Sequence, residues 1–472
     1  MKGTILAADI GTSSLKAAFI DTCGCLLAFS RTAYRPDSAD AQSWERAFAL
    51  ALEELHSLAP DCGIDAVCIS GNGPTLVPLK GDGEALPPLY WHDGKTLLPT
   101  EISTDIPKEG SSPSFFLPHA AWLKNKAPED YRKTSLFVSS HEWLAFRLGA
   151  EALTVLPHAA YEPYYWDDEQ CRLFGLDREK FPSFVKMGSP MGHVSAKAAS
   201  FFGNCCGHRL KSGTPIIAGG PDFITALIGT GTFRPGDVCD RAGSSEGINV
   251  CAAAKPCAAG RPAEAGGLRA LPHAKEGLWN ISALIPSSGM LFDRYRELSR
   301  QQDRPYGELL AELIPSSDNT EIFHDIDFFN TELFPLDSKA PLLPHSPLPT
   351  PHSLLSGRSV LCAMAFAVRS AAEKLERAGF PVNEMKVSGG QGKNPRWNQL
   401  KADIAGLSLV IPEISDGELA GNAVLAAAAL GNAGIEDTMD RMIRFREVYR
   451  PRNTAFWEER FRHCRQKAEE LH

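Results

Sequence analysis

Asp9-Ile10-Gly11-Thr12-Ser13-Ser14 is the stretch on which the reading of this chain turns. It lies between two strand-like runs, Thr4 to Ala8 and Leu15 to Ile20, and therefore reads as a tight Gly/Ser/Thr turn joining two strands. Such a turn directs successive backbone N–H groups and hydroxyls toward one point, a concavity suited to phosphate oxygens. Working outward, Asp21-Thr22-Cys23-Gly24 reads as a second turn and Leu26 to Ala33 as a third strand, giving an antiparallel meander. A helix is expected from Ser43, its N-cap, to Leu58, with Trp44, Ala47, Phe48, Ala51 and Leu55 on one face. A buried strand, Ala66 to Ser70, then runs into the turn Gly71-Asn72-Gly73-Pro74.

Strand–strand–strand–helix–strand is the opening of an actin-like, ribonuclease H-like domain and not of a βαβ dinucleotide unit. A related turn recurs at Gly243-Ser244-Ser245, leading into Gly247 to Cys251, so the two halves begin alike. With 472 residues the chain exceeds what one hydrophobic core supports. The expected fold class is α/β: two actin-like domains, 1–236 and 237–472, with the active-site cleft between them and a nucleotide held by the two turns. Phe233-Arg234-Pro235-Gly236-Asp237 is the expected boundary.

The 43% apolar and 22% charged fractions suit a globular enzyme, and the net charge of −9, without a dense Lys/Arg run, argues against nucleic acid as a partner. The longest apolar runs, Ser359 to Val368 and Ala423 to Leu430, are too short to span a bilayer, and Asp9 interrupts Thr4 to Ala8 too early for a signal peptide. The reading is a cytoplasmic protein with a small-molecule partner and no membrane, a homodimer being left open. Twelve cysteines in this length make no disulfide scaffold, and Cys23-Gly-Cys25 and Cys205-Cys206 lack zinc spacing. Further along, helices are expected at His119 to Lys126, His141 to Leu148, Phe223 to Ile228, Val360 to Ala378 and Pro395 to Ala405, strands at Pro215 to Ala218 and Met385 to Ser388, and a surface loop over Ser338 to Ser356.

Four motifs together resemble the FGGY carbohydrate kinases, which include xylulose, gluconate, fucose and glycerol kinases. They are Asp9 to Ser14, Ala218-Gly219-Gly220-Pro221-Asp222, Gly243-Ser244-Ser245, and Ser388-Gly389-Gly390-Gln391-Gly392-Lys393-Asn394-Pro395-Arg396-Trp397. Their order and strand–turn context extend the resemblance from Ile5 to Leu430. It implies transfer of the γ-phosphate of ATP, with Mg²⁺, to a hydroxyl of a small sugar or polyol, a pentulose such as xylulose being the nearest pattern.

By that resemblance Gly11, Thr12, Ser13, Ser14, Gly243, Ser244 and Ser245 surround the phosphates, and Gly389, Gly390, Gln391 and Asn394 take the adenosine. Lys16 is either an added charge or a solvated strand residue, and Asn394 either meets the base or caps its helix. Asp222 is the expected general base, its position also fitting a helix cap; Asp9 is the carboxylate near Mg²⁺, or else an Asx-turn residue. Asn72, Gly73, Pro74, Trp91 and Asp93 are the expected acceptor contacts together with Asp222, although Trp91 also suits a core. Ala420, Gly421, Ala423, Ala426 and Ala427 are expected to pack behind the nucleotide.

The chain departs from the family pattern in several places. Asn72 to Thr75 lacks the usual polar acceptor run, Lys95 replaces an arginine and His119 a lysine, and Cys362-Ala363 replaces Glu-Gly. Glu246 stands beside the second turn, where a carboxylate aimed at triphosphate would repel it unless it faced Mg²⁺ or solvent. Two other readings are an actin-like ATPase without sugar transfer, against which Asp222 and the Trp91 segment speak, and a catalytically weak sugar-binding regulator, suggested by Glu246 and the altered loop.

Overall fold

The computed structural model describes residues 3–34, 40–91, 93–98, 114–203, 210–243, 245–255, 267–286, 288–315, 323 and 354–470. The opening meander forms as expected. β1 (Thr4–Ile10), an apolar run with every residue buried, pairs antiparallel with β2 (Ser14–Asp21), and β2 pairs antiparallel with β3 (Leu26–Ala33). The next helix is Ala41–Leu58, and its N-cap is Asp40 rather than Ser43. The Asp40 carboxylate accepts the Ser43 N–H at 2.7 Å, so the predicted cap is the third helical residue. Its buried face contains the five residues expected from the periodicity.

A crossover through that helix makes β4 (Ala66–Gly71) parallel to β1. Two small sheets follow, β5 (Leu76–Lys80) with β6 (Thr134–Ser139) and β7 (Thr154–Leu156) with β8 (Phe184–Lys186), alongside helices Leu117–Lys126 and Ser140–Leu148. β9 (Pro190–His193) and β10 (Pro215–Pro221) complete the main sheet, in the order β3-β2-β1-β4-β10-β9. β10 runs three residues past the predicted Ala218, with a register shift between Ala218 and Gly220. A Cβ on Gly219 would sit 1.9 Å from the Ile69 carbonyl oxygen, so only glycine fits this shift.

The second large sheet repeats the theme. β11 (Val238–Ala242), β12 (Glu246–Ala252), β13 (Leu268–Pro272) and β14 (Trp279–Ile285) are joined antiparallel. β15 (Glu384–Ser388) lies parallel to β11, β16 (Ser408–Pro412) parallel to β15, and β17 (Phe445–Tyr449) closes the edge. The helix predicted from Val360 begins at Leu354; residues 338–353 of the predicted surface loop lie outside the described residues. Val368, Ala371, Ala372 and Leu375 of that helix seal one face of the sheet against Val387 and Ile281. No helix among the described residues is long and apolar enough to cross a membrane.

The chain divides into two compact units: Met1–Gly231 with Gly417–Ile443, and Thr232–Asp416 with Arg444–His472. Residues 417–443, in the second half by chain order, thus pack with the first unit.

Candidate active site

In the first unit the parallel strands β1, β4 and β10 end side by side. Asp9 lies opposite Ser70, and Gly71 lies opposite both Ile10 and Pro221. The residues that follow, Gly11, Asn72 and Asp222, therefore leave the sheet at one edge, where α/β sheets place ligands. The Gly11 N–H donates to the Ser14 carbonyl at 3.0 Å and closes the turn, leaving Thr12 and Ser13 half-buried. Tyr34 clamps it: its hydroxyl donates to the Gly11 carbonyl and its N–H to the Ser13 carbonyl at 3.0 Å. Ser14 points into the sheet, where its hydroxyl accepts from Arg31 Nε at 3.1 Å.

Asp9 is 2% exposed, and its Oδ1 accepts from the Ser70 hydroxyl at 2.8 Å. It bonds Ser70 instead of the turn's N–H groups, so it is not an Asx-turn residue. Asn422, on the Gly417–Gly431 helix, donates to Ser70 Oγ at 2.9 Å and to the Ala8 carbonyl at 2.8 Å, which orients the serine toward Asp9. Lys16 Nζ lies 3.9 Å from Asp9 Oδ2 and 3.7 Å from Glu418 Oε2, mostly covered, so the solvated reading of Lys16 does not hold. Burial pushes the Asp9 carboxyl up to about 7; Glu418 and Asp222 add to the rise, and Lys16 and the Ser70 bond oppose it. Lys16 faces two carboxylates, and Asp222 adds its negative charge to the field at Asp9, which leaves the site short of positive charge. Among the described residues no three Asp, Glu, His or Cys side chains are grouped to hold one metal ion; the chemistry of Asp9, a single buried carboxylate in that field, suits a magnesium ion, which keeps its waters and takes one or two protein ligands.

Asp222 is the first residue of the Asp222–Gly229 helix and half-buried. Its Oδ1 accepts the Phe223 N–H at 2.6 Å, so the carboxylate sits at the favourable end of the helix dipole. The Gly417–Gly431 helix sets where this helix lies. A Cβ on Gly421 would fall 1.9 Å from the Thr225 carbonyl oxygen, and one on Gly229 would fall 1.9 Å from the Gly417 carbonyl oxygen. The stripe containing Ala420, Gly421, Ala423, Ala426 and Ala427 therefore brings its backbone onto the helix that begins at Asp222.

On the predicted acceptor side, Asn72 is 2% exposed and its Oδ1 accepts from Thr75 (3.3 Å) and Ser140 (3.2 Å). Gly73 and Pro74 follow it, and Gly73 faces Pro221: a Cβ on Gly73 would lie 3.8 Å from Pro221 Cβ. Among the described residues, Asn72 Nδ2 and both ring nitrogens of the buried His141 have no hydrogen-bond partner. Burial lowers the His141 imidazole to about 3, so its approach to Glu142 at 3.8 Å is not an ion pair. Glu142 instead accepts the Ser139 and Val155 N–H groups, each at 2.6 Å. Because the unfolded imidazole takes its proton near the ordinary 6.5, the stability that neutral His141 contributes is present above pH 6.5 and drains away toward pH 3. His141→Gln is expected to flatten that loss by up to about 1.4 kcal/mol per pH unit, read by urea denaturation against pH. An unchanged slope would contradict the assignment.

Trp91 is 48% exposed, which excludes the core reading. Asp93 is tied locally, accepting the Tyr90 N–H at 3.2 Å and the Lys95 N–H at 3.0 Å while pairing with Lys95 Nζ at 3.2 Å. His119 is buried, its Nδ1 2.8 Å from the Lys95 carbonyl.

In the second unit Gly243 and Ser245 are exposed, with the Gly243 N–H donating to the Ser245 carbonyl at 3.0 Å; Ser244 lies outside the described residues. The Gly389 turn meets this one because β15 pairs with β11. Gly389 has φ 105°, and a Cβ there would lie 2.4 Å from the Ala242 carbonyl oxygen. Gly390 is exposed, and Asn394 caps the Pro395–Ala405 helix, its Oδ1 accepting the Trp397 N–H at 3.0 Å. Gln391 is engaged by the protein, donating to the Gly243 carbonyl (3.1 Å) and Ser288 Oγ (3.2 Å) and accepting from Trp397 Nε1 (3.2 Å).

Glu246 faces neither phosphate nor solvent, a correction to the expectation from sequence. It is 3% exposed and turned inward, accepting from Lys401 Nζ and from the Ser288 hydroxyl. Lys401 also donates to Asp240. Burial alone would lower the Lys401 ammonium, but the two carboxylates outweigh it and hold it above its usual value, while burial drives the Asp240 carboxyl up.

Sequence reasoning missed Tyr34, Ser70, Ser288, Lys401, Glu418 and Asn422. Two of these carried a signal: Asn422 is a lone amide within an otherwise apolar run from Leu419 to Ala428, and Lys401 falls on the helix face of apolar Trp397, Ile404 and Ala405.

Comparison with known proteins agrees with this arrangement. Residues 4–229 match the model of the N-terminal domain of the FGGY family of carbohydrate kinases, and residues 242–430 match that of its C-terminal domain. The chain is 24% identical over 493 residues to a xylulose kinase of Bacillus subtilis (95% of this chain, 93% of that one) and 22% identical over 509 residues to an autoinducer-2 kinase of Salmonella typhimurium (96% and 91%). Among solved structures, a xylulose kinase from Rhodospirillum rubrum superposes with a TM-score of 0.70 at 20% identity, covering 99% of each chain. A gluconate kinase from Lactobacillus acidophilus does so with 0.73 at 18%, covering 100% of this chain and 98% of that one. Two sheets built on one plan, a phosphate-type turn at the head of each, and family models matched in the same order along the chain lead to one conclusion: this protein belongs to the FGGY family of carbohydrate kinases.

Proposed function

We propose that this kinase transfers the γ-phosphate of ATP to a hydroxyl of a small sugar, a pentulose such as xylulose. The observation that carries the reading is the meeting, at one strand edge, of the Gly11 to Ser13 turn, the buried Asp9 and the helix-initial Asp222. Phosphoryl transfer through a loose transition state asks for positioning and charge neutralisation more than for covalent chemistry. Gly11, Thr12 and Ser13, with Gly243, Ser244 and Ser245, are proposed to bind phosphate oxygens; the exposed backbone of Gly390, beside the buried Gly389, is proposed to face the adenosine. Asp9 would hold a magnesium ion, which when bound supplies charge neutralisation at the phosphates. Asp222 accepts the proton of the attacking hydroxyl, and geometry matters more than basicity because the proton leaves late.

The Asn72 Nδ2 group, which has no partner among the described residues, supports a sugar acceptor, since a buried donor gains most from meeting a hydroxyl. Asn72→Ala is expected to raise the acceptor KM about tenfold, the value of one such bond, with the ATP KM unchanged in steady-state kinetics. The decisive test is ADP release by the pure protein with ATP and Mg²⁺ against ketopentoses, ketohexoses, aldoses, polyols and sugar acids. Release that depends on a ketopentose supports the proposal; release at the same rate without any acceptor would make the chain an ATPase.

A further inference from the structure

The second phosphate-type turn is connected to a buried ion cluster by an unbroken chain of hydrogen bonds. Asp240 and Glu246, on neighbouring strands β11 and β12, share the Lys401 ammonium, and side chains of all three are at most 1% exposed. Glu246 uses its other oxygen to accept from the Ser288 hydroxyl. A serine whose proton is committed to a carboxylate can only accept from its remaining neighbour, so Gln391 must present N–H to Ser288 Oγ. The other N–H of that amide reaches the Gly243 carbonyl, and its oxygen takes the Trp397 indole N–H. From Glu246 to Gly243 every side-chain donor and acceptor is thereby assigned, starting from a charge that nothing but the core touches.

We propose that Glu246, Lys401, Asp240 and Ser288 act as positioning residues for the Gly243 turn, holding Gln391 so that its amide occupies the Gly243 carbonyl. A carbonyl oxygen directed at a triphosphate repels it; one already bound by an amide donor is held aside and partly neutralised. This rests on the kinase reading above, and it explains why a carboxylate stands next to a turn meant for anions: the carboxylate is used from behind. A buried ion triad is seldom an economical source of stability, and an apolar replacement of similar volume often serves as well, so its use here is better understood as fixing one geometry.

The test uses the full chain and direct binding of ADP, by titration calorimetry, beside steady-state KM values for ATP and acceptor. Ser288→Ala keeps the three charges and cuts the path; the expected result is ADP affinity about tenfold weaker with acceptor KM unchanged, a melting temperature lowered by a few degrees because Glu246 loses a donor, and recovery of both in Ser288→Thr. Breaking one charge of the triad would leave another buried alone, so the cluster is tested as the neutral triple variant Asp240→Asn, Glu246→Gln, Lys401→Met. It is expected to show the same loss of ADP affinity, although none of the three can touch a nucleotide. Should Ser288→Ala fail to fold, Ser288→Cys, which keeps the volume of the buried side chain but weakens both hydrogen bonds, must reproduce the loss in part. Unchanged ADP affinity in the folded variants, or equal loss on the ATP and acceptor sides, overturns the proposal. If the unaltered protein binds no ADP, the kinase reading itself falls and takes this inference with it, an outcome visible without any variant.

Discussion

Asp222→Asn is expected to lower kcat by about 10²–10⁴, the usual contribution of a positioned proton acceptor, while ADP affinity stays near that of the unaltered protein. The substitution keeps an oxygen to accept the Phe223 N–H, so the first turn of the Asp222–Gly229 helix should form as before. What it removes is a carboxylate able to take a proton from the acceptor. It also removes one of the negative charges that raise Asp9, so metal-dependent behaviour need not suffer. Turnover that survives while nucleotide affinity collapses would show that the residue holds the helix or the nucleotide and does not act on the acceptor. Comparing kcat and ADP binding on one preparation separates these outcomes.

Gly421→Ala should be among the most damaging single-methyl changes in the chain. The added carbon would sit 1.9 Å from the Thr225 carbonyl oxygen, a backbone atom that cannot swing aside as a side chain would. The helices must separate, at a cost of about 3 kcal/mol or more and a fall in Tm of roughly 10 °C. Thr225 belongs to the helix that begins at Asp222, so displacement there also moves the carboxylate, and kcat should fall in whatever fraction remains folded. Gly431→Ala, at the far end of the same helix where a Cβ meets nothing within 4 Å, is the matched control and should leave Tm unchanged or slightly higher. Equal Tm values for the two variants, measured by calorimetry, would remove the argument that close backbone contact fixes this helix pair.

Much of the scaffold is legible from local pattern. The buried run of β1, the turn at Gly11 and the one-sided apolar face of the Ala41–Leu58 helix each depend on residues within a few positions of one another. The N-cap is not, because two good capping residues, Asp40 and Ser43, lie three apart and pattern alone does not choose between them. The end of β10 is hidden because Gly219 and Gly220 resemble a loop, when in fact they let the strand pass close to Ile69. The candidate site is legible only in part. Gly11, Asp9 and Asp222 stand in motifs, whereas Ser70 and Glu418 act on Asp9, and Asn422 on Ser70, from 61 or more positions away along the chain.

From order and periodicity alone come the α/β class, the doubled opening turn, and a carboxylate near the ends of the first strand and of the strand from Pro215, because these follow from spacing along a single backbone. Where side chains face could not be had that way. Glu246 turns into the core because Lys401, 155 positions away, offers a buried ammonium there. Lys16 leaves solvent for Asp9 and Glu418, and a helix late in the chain joins the early unit because Gly421 and Gly229 permit contact between backbones. Desolvation and steric fit depend on what surrounds a group in three dimensions, and no reading of neighbours in sequence supplies that.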